Sequence, residues 1–100
     1  MTNFKVERNG VVRSDRGVKI GEVKRDILRD GRGYRIATIQ GDRIRDARGM
    51  LLGQVSGSRV KNARGSTVCD IDDIPLDVQM MIEPAMAAAI MHFFIKPIFI

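Results

Sequence analysis

Residues 41–56 read GDRIRDARGMLLGQVS, and the chain says nearly the same thing three more times: NGVVRSDRGVKIGEVK at 9–24, RDILRDGRGYRIATIQ at 25–40 and GSRVKNARGSTVCDID at 57–72. The four blocks abut without an insertion. A fixed period of this kind marks a repeat architecture and decides the fold class before any other feature is weighed. It also tempers function, because a motif used four times is more often scaffold than active site.

Within the repeat, some positions barely vary. The fourth is aliphatic (Val12, Leu28, Ile44, Val60), the fifth basic (Arg13, Arg29, Arg45, Lys61) and the sixth a turn-former (Ser14, Asp30, Asp46, Asn62). The eighth is arginine in every copy (Arg16, Arg32, Arg48, Arg64), and the ninth is glycine. The twelfth and fifteenth are again aliphatic, from Ile20 and Val23 to Val68 and Ile71. An Asp, Asn or Ser that bonds its own backbone two residues on seeds a turn. A glycine three positions later supplies the positive φ such hairpin loops require. Each repeat therefore reads as a β-hairpin, and a central glycine in every copy argues against helix.

The twelfth and fifteenth positions lie three apart, on opposite faces of a flat strand. Between them sits a small residue (Gly21, Ala37, Gly53, Cys69). A bulge there, or a close approach of neighbouring hairpins, is expected. A lone two-stranded hairpin is unstable in water, so the four must join in a linear stack or a closed ring. A ring leaves no bare sheet edge and is the preferred expectation. The fold class expected is mainly β: four tandem 16-residue β-hairpin repeats closed into a pseudo-four-fold, flower- or barrel-like ring, plus a C-terminal apolar helix.

Gly-containing hairpin repeats of this length, four in tandem and followed by a short apolar segment, resemble the four-fold β-flower proteins, a bacterial family with no assigned activity. Asp46-Ala47-Arg48-Gly49 with Gly53 and Val55 carries the likeness best. It covers residues 9–72 and, more loosely, the tail. The resemblance implies a pseudo-four-fold ring of hairpin petals and brings no catalytic residues. Ala37 and Cys69 depart from the glycine of the thirteenth position.

The chain divides into a repeat domain, 1–72, and a hydrophobic helical tail, 73–100. Sixteen of the 17 Lys and Arg fall in the first part, and 19 of the 44 hydrophobic residues crowd into the last 28 positions. Asp72-Asp73-Ile74-Pro75 resembles a helix start. Helix formers then run from Leu76 to Ile95 with Pro84 among them, which reads as a kink or as two short helices ending by Lys96. From Ala85 to Ile95 every face is apolar except at His92, so the segment is expected to be buried, either on its own repeats or in an oligomer interface. Ile90, Met91, Phe93 and Phe94 are the interface candidates. The uncharged run is well short of the ~20 residues of a membrane span, so membrane contact through the tail is not favoured.

The net charge of +5 suits an anionic partner: nucleic acid, a phosphorylated ligand or anionic lipid headgroups. If the repeats close, Arg16, Arg32, Arg48 and Arg64 form one ring and Arg13, Arg29, Arg45 and Lys61 another. These eight are the anion-binding candidates, and the repeated basic residue is the one recurrent feature that a hairpin does not itself demand. The competing expectation is that each arginine pairs with an Asp of its own turn. No metal or cofactor site is expected: calcium loops need several oxygens per loop, and His92 with Cys69 falls short of a zinc set. Neither a P-loop nor a nucleophile elbow is present, so the expectation is a non-enzymatic interaction module that self-associates through its C-terminal helix, with polyanion binding as the alternative. One cysteine and an N-terminus (MTNFKVERNG) without a long apolar run give the expectation of a reducing, cytoplasmic setting.

Overall fold

A computed structural model describes residues 3–99. The described residues form one sheet of ten strands: β1 (Phe4–Val6), β2 (Val11–Arg13), β3 (Lys19–Lys24), β4 (Ile27–Asp30), β5 (Arg35–Gln40), β6 (Arg43–Asp46), β7 (Leu51–Ser56), β8 (Arg59–Asn62), β9 (Thr67–Asp70) and β10 (Leu76–Val78). Each repeat is a hairpin: β2–β3, β4–β5, β6–β7 and β8–β9. Neighbours pair antiparallel from β1 through β9, and β10 returns to pair parallel with β1, Phe4 opposite Leu76 and Val6 opposite Val78.

Each hairpin carries the same irregularity. Val12 pairs with Gly21, yet Arg13 pairs with Lys19, so Ile20 is an extra residue. Ile36, Leu52 and Val68 are skipped in the same way. The bulge thus falls on the twelfth position, one residue before the small one expected. It turns the twelfth side chain toward the core beside the thirteenth and fifteenth positions, which are buried in the first three copies and half-buried in the fourth. Bulges bend and coil a strand, and four of them at equal spacing curl the sheet. Laid flat at ~4.8 Å per strand, ten strands span about 43 Å, whereas the longest extent of the chain is 34 Å.

The curl does not close. β9 and β10 share no ladder and form the two ends of the sheet, which corrects the expectation of a closed flower-like ring. The fourth repeat departs from its siblings where closure would occur. In place of a six-residue return strand, β9 stops at Asp70. The Asp70 carboxylate accepts the Asp72 amide (3.0 Å) and Asp73 accepts the Asp70 amide (3.3 Å), a reciprocal cap. That cap tightens Ile71–Asp73 into a 3₁₀ turn. The acids of 70–73 therefore end a strand and start no long helix.

Leu76–Val78 is strand, not the beginning of the expected helix. Leu76 and Val78 are half-buried with Asp77 exposed between them, a period of two that the β1 ladder rewards more than helix propensity does. Helix α1 spans Pro84–Ile90 with Pro84 in its first turn, and Glu83 before it is extended. A proline at the first helical position loses no hydrogen bond, so Pro84 starts the helix and neither kinks nor splits it. The helix continues as a π-helical stretch over Met91–Ile95 and ends where the Lys96 amide bonds the Met91 carbonyl (2.8 Å).

Helix α1 lies against the inner face of the curl, touching β4 through β7 and the 3₁₀ turn. Ala85, Met86, Ala88, Ala89 and Ile90 are all but inaccessible to water, as are Val12, Leu28, Ile44 and Val60 beneath them. The all-round apolar character of the segment is thus used inside a single chain. Alanines let the helix backbone approach the sheet closely, while Met86 and Ile90 supply bulk.

Candidate functional site

The turns 14–18, 30–34, 46–50 and 62–66 all lie at one end of the sheet, because every second strand runs the same way. They are chemically alike. The Asp30 Oδ1 accepts the amides of Arg32 (2.9 Å) and Tyr34 (3.0 Å). Asp46 does the same for Arg48 and Met50, Asn62 for Arg64 and Ser66, and the Ser14 hydroxyl for Arg16 and Val18. The ninth-position glycines take φ between 83° and 90°, where an L side chain is strained. The backbone amides of Gly17, Gly33, Gly49 and Gly65 bond back to the sixth residue at 2.9–3.0 Å. Each turn is therefore held by its own side chain, its glycine and its ladder.

The fifth-position arginines belong to the same device. Arg13, Arg29 and Arg45 each donate from Nη1 to the carbonyl of the ninth-position glycine, at 3.1, 3.0 and 3.0 Å. The hairpin does call on these residues, which corrects the reading that the repeated cation stands outside the fold. Lys61 takes the place in the fourth copy. Arg13 also pairs with Glu7 (2.8 Å), and Lys19–Glu22 (3.7 Å) is the other ion pair among the described residues.

The eighth-position arginines are placed differently. Arg16, Arg32, Arg48 and Arg64 are exposed at the tips. The expected pairing with the turn acids does not form for Arg16, Arg32 or Arg48: Asp30 and Asp46 are engaged by backbone amides instead. Equivalent tips stand two strands apart, ~10 Å along the rim. At that separation two unit charges in water repel by only about 0.4 kcal/mol, so the fold tolerates the row. The row and the Arg13, Arg29, Arg45 and Lys61 tier beside it make one cationic rim of eight side chains, shared with the carboxylates of Asp15, Asp30 and Asp46. The turns of the opposite rim carry Glu7, Asp26 and Asp42 with Arg8 and Arg25, and exposed Lys24, Arg43 and Arg59 flank them, five cations to three acids.

The tail candidates fall elsewhere. Ile90 and Met91 are buried in their own core, and Phe93 and Phe94 are half-buried against it. Phe94 and Phe99 sit over Gly21 and Gly53. His92 is a residue whose role sequence reasoning missed. Its Nδ1 accepts the backbone amides of Ile98 (3.1 Å) and Phe99 (3.2 Å) and so pins the chain end over the core. The ring meets Phe93 edge-on and Phe99 at a tilt, both at 4.9 Å between centroids. A nitrogen that accepts two amides has no room for a proton, so the proton of the neutral ring is assigned to Nε2.

Burial lowers the pKa of His92 below its ordinary value of 6.5. The unfolded chain then takes up the proton first as pH falls. The contribution of His92 to stability is full above pH 6.5 and is lost progressively below it. The urea midpoint should hold at neutral pH and drop as pH falls through and below about 6.5, where the unfolded histidine takes up its proton. A His92→Ala variant should be weaker at neutral pH and lose most of that drop. An unchanged pH dependence in the variant would show that the latch is not what titrates.

Cys69 is half-exposed at the sheet edge. Burial first, then the charges of Asp73 and Asp70, push its thiol pKa up, which keeps it in the less nucleophilic protonated form. No three His, Cys, Asp or Glu side chains among the described residues are grouped to hold a metal ion. Comparison with family models, with curated proteins and with solved structures finds no match, so the likeness to β-flower proteins rests on the repeat itself.

Proposed function

We propose that this protein is a non-enzymatic binding module that holds an extended anionic partner along its arginine rim. One observation carries the reading: four internally braced turns carry Arg16, Arg32, Arg48 and Arg64 in a row, and in the first three a second arginine of the same hairpin clamps the turn. Guanidinium groups bind phosphate and carboxylate bidentately, and bracing the turns lowers the ordering cost of doing so. The ~10 Å spacing of tips two strands apart suits a partner with many separate charges. Self-association through the tail has less to support it, because Ile90 and Met91 are enclosed by the sheet of the same chain.

The test is binding to heparin, to a DNA duplex and to phosphatidylserine vesicles at low salt and again at physiological ionic strength. Binding should weaken steeply with salt. An Arg16→Ala/Arg32→Ala/Arg48→Ala variant should keep its unfolding midpoint and lower the slope of log K against log salt on the duplex by about 3. Failure of the native chain to bind all three at low salt would remove the reading.

A further inference from the structure

The rim carries more than charge. Among the described residues, the large hydrophobic side chains left exposed are Val18 (58%), Tyr34 (67%), Met50 (64%) and Met81 (96%). Three of the four stand at the tenth position of the repeat, two residues after Arg16, Arg32 and Arg48, on the same turns. Met81 lies by the Arg25–Asp26 turn at the other end of the strands. The hairpin does not demand an apolar tenth residue, since the fourth copy has Ser66 there and the same turn bonds. Cation and apolar residue therefore alternate along one edge of the molecule, on turns fixed by the amide of the tenth residue donating to the sixth side chain.

Resting on the reading of the rim as an anion-binding edge, we propose that its partner is the surface of an anionic lipid bilayer. Charge complementarity selects an anionic partner but leaves nucleic acid and membrane equal. The apolar tips separate them. A nucleic acid satisfies the arginines and can stack one base on Tyr34, but it offers nothing to Val18 or Met50. A bilayer offers phosphates to the arginines and the headgroup–acyl boundary to Val, Tyr and Met, and tyrosine favours that depth.

The four hairpins share one internal register: Val12 pairs with Gly21, Leu28 with Ala37, Ile44 with Gly53 and Val60 with Cys69. Each is offset from the one before by the same two residues, since Gly21 pairs with Asp30, Ala37 with Asp46 and Gly53 with Asn62, so equivalent tips recur along one edge at equal intervals. The opposite rim, where Glu7, Asp26 and Asp42 offset more of the positive charge, faces away from the surface. No described helix is long and apolar enough to cross a membrane, so this docking is by the rim.

The test uses the full chain with phosphatidylcholine vesicles, with and without phosphatidylserine, and a DNA duplex at the same salt. Tyr34→Trp introduces a single fluorescent indole on the rim, since the chain has no tryptophan of its own. Binding to phosphatidylserine vesicles should exceed duplex binding, vanish on phosphatidylcholine alone and shift the emission of that indole to shorter wavelength. Val18→Ser/Tyr34→Ser/Met50→Ser should weaken vesicle partitioning roughly tenfold or more while leaving duplex binding and the unfolding midpoint in place. Arg16→Ala/Arg32→Ala/Arg48→Ala should weaken vesicle binding on the order of a hundredfold, at about fivefold per cation. Tight duplex binding without vesicle binding overturns the bilayer and leaves the anion-binding rim standing. Vesicle binding indifferent to the serine variant also overturns the proposal, because charge alone then suffices. Binding to neither surface removes both readings.

Discussion

A chain ending at Asp73 is expected not to fold. The truncation removes β10, the partner of β1, and with it the whole of α1, the π-helical stretch and the segment carrying Ile98 and Phe99. Met86, Ile90, Met91 and Ile98 are all buried. At ~1.5–3 kcal/mol for each such side chain, their loss is comparable to the roughly 5–15 kcal/mol that separates folded from unfolded domains of this size. The inner face fares no better. Val12, Leu28, Ile44 and Val60, now fully buried, would line an open trough filled with water. The local devices of the hairpins (Asx turns, glycines, arginine clamps) survive truncation, but they order turns and bury little apolar surface. Far-UV circular dichroism should show mostly coil, and urea titration should give no cooperative transition. Ile90→Ala in the full chain calibrates the effect, with an expected cost of ~2–5 kcal/mol. A truncated chain that melts cooperatively would mean that the hairpins close on themselves without the helix.

What can be read from the residues alone tracks how local the cause is. Asp30, Asp46, Asn62 and Ser14 announce their turns because the bonds they make span two to four residues. The glycine of the ninth position is equally legible, since positive φ is a property of one residue. The arginine clamp spans four residues and recurs three times. It is open to inspection as a fifth-to-ninth pairing, but nothing in residue type tells a clamping arginine from a free one. The bulge is legible in kind and falls one residue from its expected place, because periodicity registers a slip without saying which member of Ile20-Gly21 is extra.

Longer-range features are out of reach for a different reason. Whether ten strands close depends on the small differences between copies. In the fourth copy, Asp70 and Asp73 cap a 3₁₀ turn where the other copies continue a strand. Leu76–Val78 carries an ordinary helix-compatible composition and becomes strand only because β1 offers an edge. The latch at His92 joins a side chain to amides six and seven residues on, after the helix has ended. No motif marks it.

Gly53→Val is expected to be among the most damaging single substitutions in the repeat body. Gly53 is buried on β7, paired with Ile44 and Asn62. A Cβ there would run into the Lys61 backbone carbonyl and stand 2.6 Å from Cε1 of Phe99, far inside van der Waals contact. Gly21 faces the same crowding, with the Arg29 carbonyl at 2.6 Å and the Phe94 ring at 2.5 Å. Ala37 holds the equivalent place in the second repeat and is fully buried, so the hairpin as a motif accepts a methyl. At Gly53 a methyl would meet both the Lys61 carbonyl and the Phe99 ring above it. Phe94 and Phe99 near the chain end and the glycines at 21 and 53 are thus two halves of one packing device. Overfilling a tight core costs ~1–3 kcal/mol for a small group, so Gly53→Ala should lie in that range. Gly53→Val, with two further methyls directed at backbone and ring, should exceed it and displace Phe99, freeing the segment that His92 holds. The decisive measurement is a double-mutant cycle in urea. Phe99→Ala should be destabilising alone, yet Gly53→Ala combined with Phe99→Ala should cost less than the two added, with a coupling of ~1 kcal/mol or more. Strict additivity would place the clash on the Lys61 carbonyl alone and leave the aromatic ring without a part in it.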